Sequence, residues 1–160
     1  MTEKKKDKRN EISKITTFSV PFSLEEINDN IILKTTKQII NHALDLHSQG
    51  NVSEAKKHYQ FLINQGEKDA RIFGNYGIIL INLGKLKEAE ELLRKAIVLK
   101  PDFIEAYSNL SNLLKDLGRY KEAESEASKA IQINPYYFNA HLNLGVILKD
   151  LGRFEEAELA

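Results

Sequence analysis

Related residues recur every 34 positions along this sequence, and no other feature constrains the fold as strongly. Three residue types share the spacing: Gly50, Gly84, Gly118 and Gly152; Ala55, Ala89, Ala123 and Ala157; Pro101 and Pro135. The hexapeptide that begins at Leu114 is repeated unchanged from Leu148. A fixed period of this length is typical of proteins built from stacked structural units, in which each unit contacts its neighbours.

Each unit has the pattern of two helices joined by a tight turn. In the third unit, Tyr107, Leu110 and Leu114 fall on one face of a first helix. Gly118 follows and can take the left-handed conformation that ends a helix, and a second helix then starts near Tyr120. A proline that cannot continue the helix closes the unit. The period therefore predicts helical hairpins at 36–69, 70–103 and 104–137 and a partial unit at 138–160.

The sequence resembles the tetratricopeptide repeat family over about three quarters of its length. The residues that carry the resemblance are Phe73, Tyr76, Gly77, Ala89, Ala96 and Pro101 in one unit, Tyr107, Leu110, Ala123, Ala130 and Pro135 in the next, and Leu144, Gly145 and Ala157 in the last. The resemblance implies an all-α fold, a right-handed α-solenoid of antiparallel helix hairpins with about 3.5 repeats. It also implies a non-catalytic scaffold for protein–protein interaction.

The first unit departs from the family pattern. His42 stands where the other units have Tyr76, Leu110 and Leu144, and Glu67 stands in place of the closing proline. Terminal repeats are often atypical because one of their faces meets no neighbour. We expect His42 to fill the same core position as its counterparts.

The segment before the repeats divides in two. Residues 1–17 are basic and polar and predict a disordered tail. Residues 18–35 predict a lead-in and a capping helix that starts at Leu24, because Ser23 and Glu26 form a capping box. Thr35 and Thr36 mark a bend, or the helix continues to about Gln49.

The last unit predicts an incomplete second helix. Without full coverage, Leu144, Leu148 and Leu151 would be poorly buried. We expect the chain to be a fragment of a longer solenoid or to end against a partner, and we expect self-association through the C-terminal end.

Several classes of function are disfavoured by composition and motifs. Lys and Arg together number 23, as do Asp and Glu, so no global charge attracts nucleic acid, and no specific nucleic acid is expected as a partner. The chain has no cysteine, no phosphate-binding glycine loop and no apolar run long enough to span a membrane. We therefore predict no catalytic residues, no metal site, no cofactor and no membrane partner, and a cytoplasmic location.

One polar set recurs with the period and directly precedes the core residue of each first helix: Asn41, Asn75, Asn109 and Asn143. Asparagine in mid-helix costs up to about 0.7 kcal/mol relative to alanine, which suggests a common use. Glu105 and Asn112 share the helical face of Asn109, and Arg71 and Asn82 share that of Asn75. If the first helices line a concave groove, these amides could donate to and accept from the backbone of an extended peptide. Alternatively, the asparagines only stiffen the stack.

This ladder of asparagines resembles the groove of the repeat domain in O-GlcNAc transferases, which implies binding of extended peptides. An alternative is that the chain forms the non-catalytic arm of a larger glycosyl- or sulfotransferase whose catalytic domain lies beyond residue 160. Capture of an acidic C-terminus is disfavoured, because the groove cations are balanced by acids. The cations are Lys37, Arg71, Lys115 and Lys149, and the acids are Glu105, Asp116 and Asp150.

Overall fold

The computed structural model describes residues 29–160, all of which lie in helices or the connections between them, without a strand. The helices are α1 (Asp29–Ser48), α2 (Val52–Asn64), α3 (Ala70–Asn82), α4 (Leu86–Leu99), α5 (Ile104–Asp116), α6 (Tyr120–Ile133), α7 (Phe138–Asp150) and α8 (Phe154–Ala157). Successive helices pair as hairpins, which confirms the predicted all-α solenoid. The predicted tail 1–17 and the predicted helix start at Leu24 lie outside the described residues. Helix α1 continues through Thr35 and Thr36 without interruption, as the second alternative predicted.

Glycine ends the first helix of every hairpin. Gly84 and Gly118 have φ values of +72° and +74°, which L-residues with a side chain rarely adopt. The residue after each glycine donates its N–H to a carbonyl five positions earlier, as Lys85 does to Leu80 at 2.9 Å. This pattern satisfies carbonyls that the helix leaves unpaired. Gly66, with φ +83°, ends α2 through the same geometry. In the first hairpin a glycine therefore ends the second helix, whereas a proline follows α4 and α6.

Small and apolar residues fill the contact between the two helices of a hairpin. Ala89 and Ala123 are fully buried at the positions predicted to allow close approach. In the first hairpin the ring of Tyr59 is fully buried, and its hydroxyl donates to the carbonyl of Ala43 at 3.2 Å. Burial raises the pKa of Tyr59 to about 12, since the charged form would be desolvated. This phenol is therefore neutral and holds α2 against α1.

The prediction that His42 fills a core position is wrong, because its side chain is exposed. Its counterpart Tyr76 is buried between its own hairpin and the preceding one, where its ring lies 6.5 Å from that of Tyr59. No hairpin precedes α1 among residues 29–160, so no described residue covers His42 as Tyr59 covers Tyr76. His42 instead lies edge-on to His58 of α2, with 5.3 Å between the ring centres.

The prediction of poorly buried leucines at the C-terminal end is wrong for Leu148. Leu148 is buried at 4% exposure, and Leu144 and Leu151 are half-buried, because they face the preceding hairpin and α8. The exposed apolar side chains of α7 lie on a different face.

The stack has an inner and an outer layer. Along the chain, the backbones of α1 and α3, of α3 and α5 and of α5 and α7 approach each other closely, whereas those of α2, α4 and α6 do not within residues 29–160. A curved stack brings its inner layer together and spreads its outer layer. The first helix of each hairpin therefore lines the inner, concave side.

Ion pairs connect successive second helices. Arg119 donates to Glu90 of α4 at 2.7 Å and to Glu122 of α6 at 2.6 Å, and Arg153 bridges Glu124 and Glu156 in the same way. Because water screens exposed pairs of this kind, they contribute little to stability and mainly favour one alignment of the hairpins.

Candidate functional site

The predicted groove residues all lie on the first helices, which form the inner layer. Asn41 is on α1, Arg71, Asn75 and Asn82 on α3, Glu105, Asn109 and Asn112 on α5, and Asn143 on α7. The asparagines at 75, 109, 112 and 143 are half-buried, and the other four residues are exposed. None is buried in the core, and none lies on a second helix.

Two of the four recurring asparagines already bond to the protein. The amide of Asn143 donates to the backbone carbonyl of Ser108 at 3.0 Å and to its hydroxyl at 3.2 Å, which links α7 to α5. Asn75 donates to the carbonyl of Arg71 at 2.9 Å. Its side chain also acts on the imidazole of His47 on α1, where it opposes the lowering of the His47 pKa by burial. The stiffening interpretation therefore has direct structural support at Asn143, whereas the bond from Asn75 to Arg71 lies within α3.

The other two asparagines have no hydrogen bond to any residue in the range 29–160. Asn109 is half-buried on α5, between α3 and α7, and both its amide donors and its carbonyl acceptor are unused by the protein. Asn41 is exposed on α1. Asn112, one turn beyond Asn109, is likewise half-buried without such a bond. The middle of the inner face thus offers amide groups whose hydrogen-bonding capacity is free for a ligand.

The charges on the inner face are largely neutralised by one another. Arg71 is held by Asp69, with Nη2 at 2.6 Å from Oδ2, while Asp69 also caps α3 by accepting from the Arg71 backbone N–H at 2.9 Å. The hydrogen bond between the two side chains lowers the pKa of Asp69 and raises the pKa of Arg71. Lys115 lies 3.1 Å from Asp116. This leaves Lys37 and Lys149 as cations of the predicted set without an ion pair in the described part of the chain.

Three of the four histidines lie in the first hairpin, and the structure brings two of them into contact, which the sequence did not indicate. His58 faces His42 across the hairpin, and its pKa is lowered by burial and by the neighbouring imidazole. His47 lies against Tyr59, with 6.0 Å between ring centres. No group of three or more metal-ligating side chains occurs in residues 29–160. In the same range, no helix combines the length and the apolar character needed to cross a membrane.

Two family models match the chain. One is described as a TPR repeat and matches residues 77–118, and the other is described as a tetratricopeptide repeat and matches residues 114–160. Together they cover 77–160, which is 84 of 160 residues. No curated protein is similar enough in sequence to count as a match.

Several solved structures share the fold at low sequence identity. MamA superposes with a TM-score of 0.70 at 19% identity, over 80% of this chain and 77% of MamA. The first TPR domain of Spaghetti (RPAP3), bound to the HSP90 peptide SRMEEVD, gives 0.68 at 20% identity, over 74% of this chain and 94% of that domain. YrrB, described as a TPR protein with an unusual peptide-binding site, gives 0.66 at 22% identity, over 76% of this chain and 63% of YrrB.

Proposed function

Because this chain belongs to the tetratricopeptide repeat family, we propose that it is a protein–protein interaction scaffold that binds an extended peptide segment along its concave inner face. The observation that carries the proposal is the free, half-buried amide of Asn109 on α5, a middle helix of that face. It is flanked by Asn143, which links α7 to α5, and by Asn75, whose amide bonds within α3. An amide in this position can donate to a peptide carbonyl and accept from a peptide N–H.

The spacing of the helices suits an extended ligand. Packed helices lie about 8–10 Å apart, which corresponds to about three residues of an extended strand. Asn41 and Asn109 are two hairpins apart, so the two free amides would contact peptide groups about six residues apart. Such contacts read the peptide backbone and depend little on its side chains.

Peptide binding is consistent with the structural relatives, two of which are described with a bound peptide or a peptide-binding site. The HSP90 peptide bound by the RPAP3 domain is acidic, whereas the inner face of this chain has Arg71 and Lys115 engaged by internal acids. We therefore propose that this groove favours uncharged extended segments over acidic tails. The alternative of a transferase arm has no support among the described residues or the similar structures named above.

The test uses peptides selected by the full chain from a random decapeptide display library, with affinities measured by calorimetry. A lost hydrogen bond that leaves its peptide partner unpaired costs about 1–3 kcal/mol, which weakens binding roughly tenfold or more. We expect that loss for Asn109→Ala. The matched control is Asn64→Ala, which removes an exposed asparagine from α2 in the outer layer and should leave affinity unchanged.

Melting curves of the same variants separate the two interpretations of the asparagines. Asn109→Ala should not lower stability, because Asn109 makes no internal bond and alanine is the better helix former. Asn143→Ala should lower it by about 1 kcal/mol, because two hydrogen bonds to Ser108 are lost. Unchanged peptide affinity in Asn109→Ala, or equal binding by Asn64→Ala and Asn109→Ala, would contradict the proposal. A preference of the chain for SRMEEVD over uncharged peptides would contradict the proposed specificity.

A further inference from the structure

Three rows of side chains run across the inner face, with one position from each first helix, and the four recurring asparagines form the middle row. The row one turn before it, which we call the lower row, consists of Lys37, Arg71, Glu105 and Asn139. The row one turn after it, which we call the upper row, consists of Leu44, Ile78, Asn112 and Val146. The residue type in these two rows changes from hairpin to hairpin, so the repeated fold does not depend on any one type there.

Glu105 is the carboxylate of the lower row. It is exposed in the first turn of α5, one turn before the free amide of Asn109, and has no ion pair within residues 29–160. Its counterpart Arg71 on α3 is held by Asp69, which accepts from Nε at 3.0 Å and from Nη2 at 2.6 Å. Lys37 lies two helices away, roughly 16–20 Å, a distance at which salt screens most of its attraction. The charge of Glu105 is therefore available to a ligand.

The other charged residues around α5 do not offset this charge. They come in couples of opposite sign: Lys100 and Asp102 before α5, Lys115 and Asp116 in its last turn, and Lys149 and Asp150 at the end of α7. The Lys100 ammonium lies over an aromatic ring, 5.3 Å from its centre, and Lys115 lies 3.1 Å from Asp116. Glu105 thus gives this part of the groove a net negative charge, which favours a basic side chain.

The upper row presents an apolar side chain on the neighbouring helix. Ile78 of α3 is half-buried, so part of its surface is accessible from the groove, and it follows Asn75 by one turn. Its counterpart on α5 is the polar Asn112. Glu105 and Ile78 therefore lie on adjacent helices and on opposite sides of the asparagines.

The geometry of an extended strand connects these two positions. A strand that follows the asparagines directs alternate side chains to opposite sides, and the step from α5 to α3, about 8–10 Å, spans about three of its residues. Residues three apart point to opposite sides, as Glu105 and Ile78 do. We propose that the groove prefers an extended segment in which a basic residue that contacts Glu105 and an apolar residue that contacts Ile78 are three positions apart. This inference rests on the proposed function and adds two side-chain contacts to those of the backbone.

The decapeptides selected by the full chain test the spacing directly. Relative to the unselected library, they should be enriched in lysine or arginine three positions from a large apolar residue. In calorimetry with one such peptide, replacing its basic residue with alanine should weaken binding about twofold to fivefold, as expected for an exposed ion pair. The replacement should have no effect on binding to Glu105→Gln, and Glu105→Lys should prefer a peptide with glutamate at that position. The matched control Glu91→Gln, which alters an exposed carboxylate of α4 in the outer layer, should behave as the unaltered chain does.

The apolar contact has its own pair of variants. Ile78→Asn should be tolerated by the fold, because Asn112 stands at the same position of the next hairpin. It should weaken binding of the selected peptide about threefold to tenfold, and it should not affect a peptide with alanine in place of the apolar residue. The matched control is Val98→Asn on α4, where Val98 is 77% exposed, and it should leave both affinities unchanged.

The outcomes separate this inference from the proposed function. Selected peptides that depend on Asn109 but lack the two residues at this spacing would overturn the inference and leave the proposed function standing. An equal loss on removal of the basic residue in the unaltered chain and in Glu105→Gln would do the same, as would equal effects of Ile78→Asn and Val98→Asn. Peptides that bind independently of Asn109, or a failure to select any peptide, would overturn the proposed function and this inference with it.

Discussion

In the second hairpin, α3 and α4 approach each other at Gly77. A Cβ atom at this position would lie 3.0 Å from Cγ and 3.2 Å from Cδ2 of Leu93, which is fully buried. One hairpin further along, 34 positions on, the same two positions hold Ser111 and Ala127. The larger residue on the first helix thus accompanies the smaller residue on the second. We expect the two positions to be energetically coupled.

The magnitudes follow from the contacts. Gly77→Ala should destabilise by about 1–2 kcal/mol, because overpacking costs about 1–3 kcal/mol and the better helix propensity of alanine returns about 0.5–1 kcal/mol. Leu93→Ala should destabilise by about 2–5 kcal/mol through the lost side chain and the cavity. In the double variant the clash is absent and the new methyl group fills part of the cavity. The double variant should therefore be about 0.5–1 kcal/mol more stable than Leu93→Ala alone.

Urea denaturation followed by far-ultraviolet circular dichroism measures all three variants at one low protein concentration. The control is Gly145→Ala, where an added Cβ would meet only the carbonyl oxygen of Ala157 at 3.6 Å, an ordinary contact. That change should stabilise by about 0.5–1 kcal/mol through helix propensity. Additivity of the two single changes within about 0.5 kcal/mol would refute the reasoning, since it would show that Gly77 and Leu93 do not share one space.

Two further predictions concern groups that the protein buries at a cost. Ser111 is fully buried, and its hydroxyl has no hydrogen-bond partner in the described chain. Ser111→Ala should therefore stabilise the protein by about 1 kcal/mol. A lower denaturation midpoint of this variant would show that the hydroxyl is bonded. Burial lowers the pKa of His47 and His58 below the ordinary 6.5, with His42 and Lys57 adding to the effect at His58 and Glu54 opposing it. The unfolded chain therefore binds more protons, and stability that is present above about pH 6.5 is lost as the pH falls through the folded values. The denaturation midpoint should decrease when the pH is lowered from about 7 to about 5. The midpoint of a His47→Gln/His58→Gln variant should decrease less over the same change. An equal decrease would assign the effect to other groups.

The sequence was sufficient to predict the helical hairpins, because their ends are determined locally. A glycine such as Gly84 or Gly118 ends a first helix through its own backbone freedom, and Pro101 and Pro135 prevent continuation of the second. The period of 34 made these local signals unambiguous. The family pattern alone was insufficient at the end of α2. Glu67 stands in place of the expected proline, but the preceding Gly66 ends the helix instead.

The candidate site was predicted only in part. Sequence spacing placed the four asparagines on one face of the first helices, and they do lie on the inner layer. Sequence spacing could not show that Asn143 donates to Ser108 while Asn109 makes no hydrogen bond within the described residues, because these contacts depend on the distance between two helices. Whether Asn109 binds a peptide stays a prediction.

What the sequence alone determined is the order, type and ends of the elements, since these follow from local backbone preferences repeated every 34 residues. The tertiary structure decided which side chains those elements bury. His42 is exposed although its counterpart Tyr76 is buried, and Leu142 is exposed although its counterpart Ser108 is buried. In both cases the residue occupies a regular position on its helix, and its burial depends on whether a neighbouring hairpin covers it. Burial in a stacked protein is a property of the contact between units, so a pattern within one unit cannot determine it.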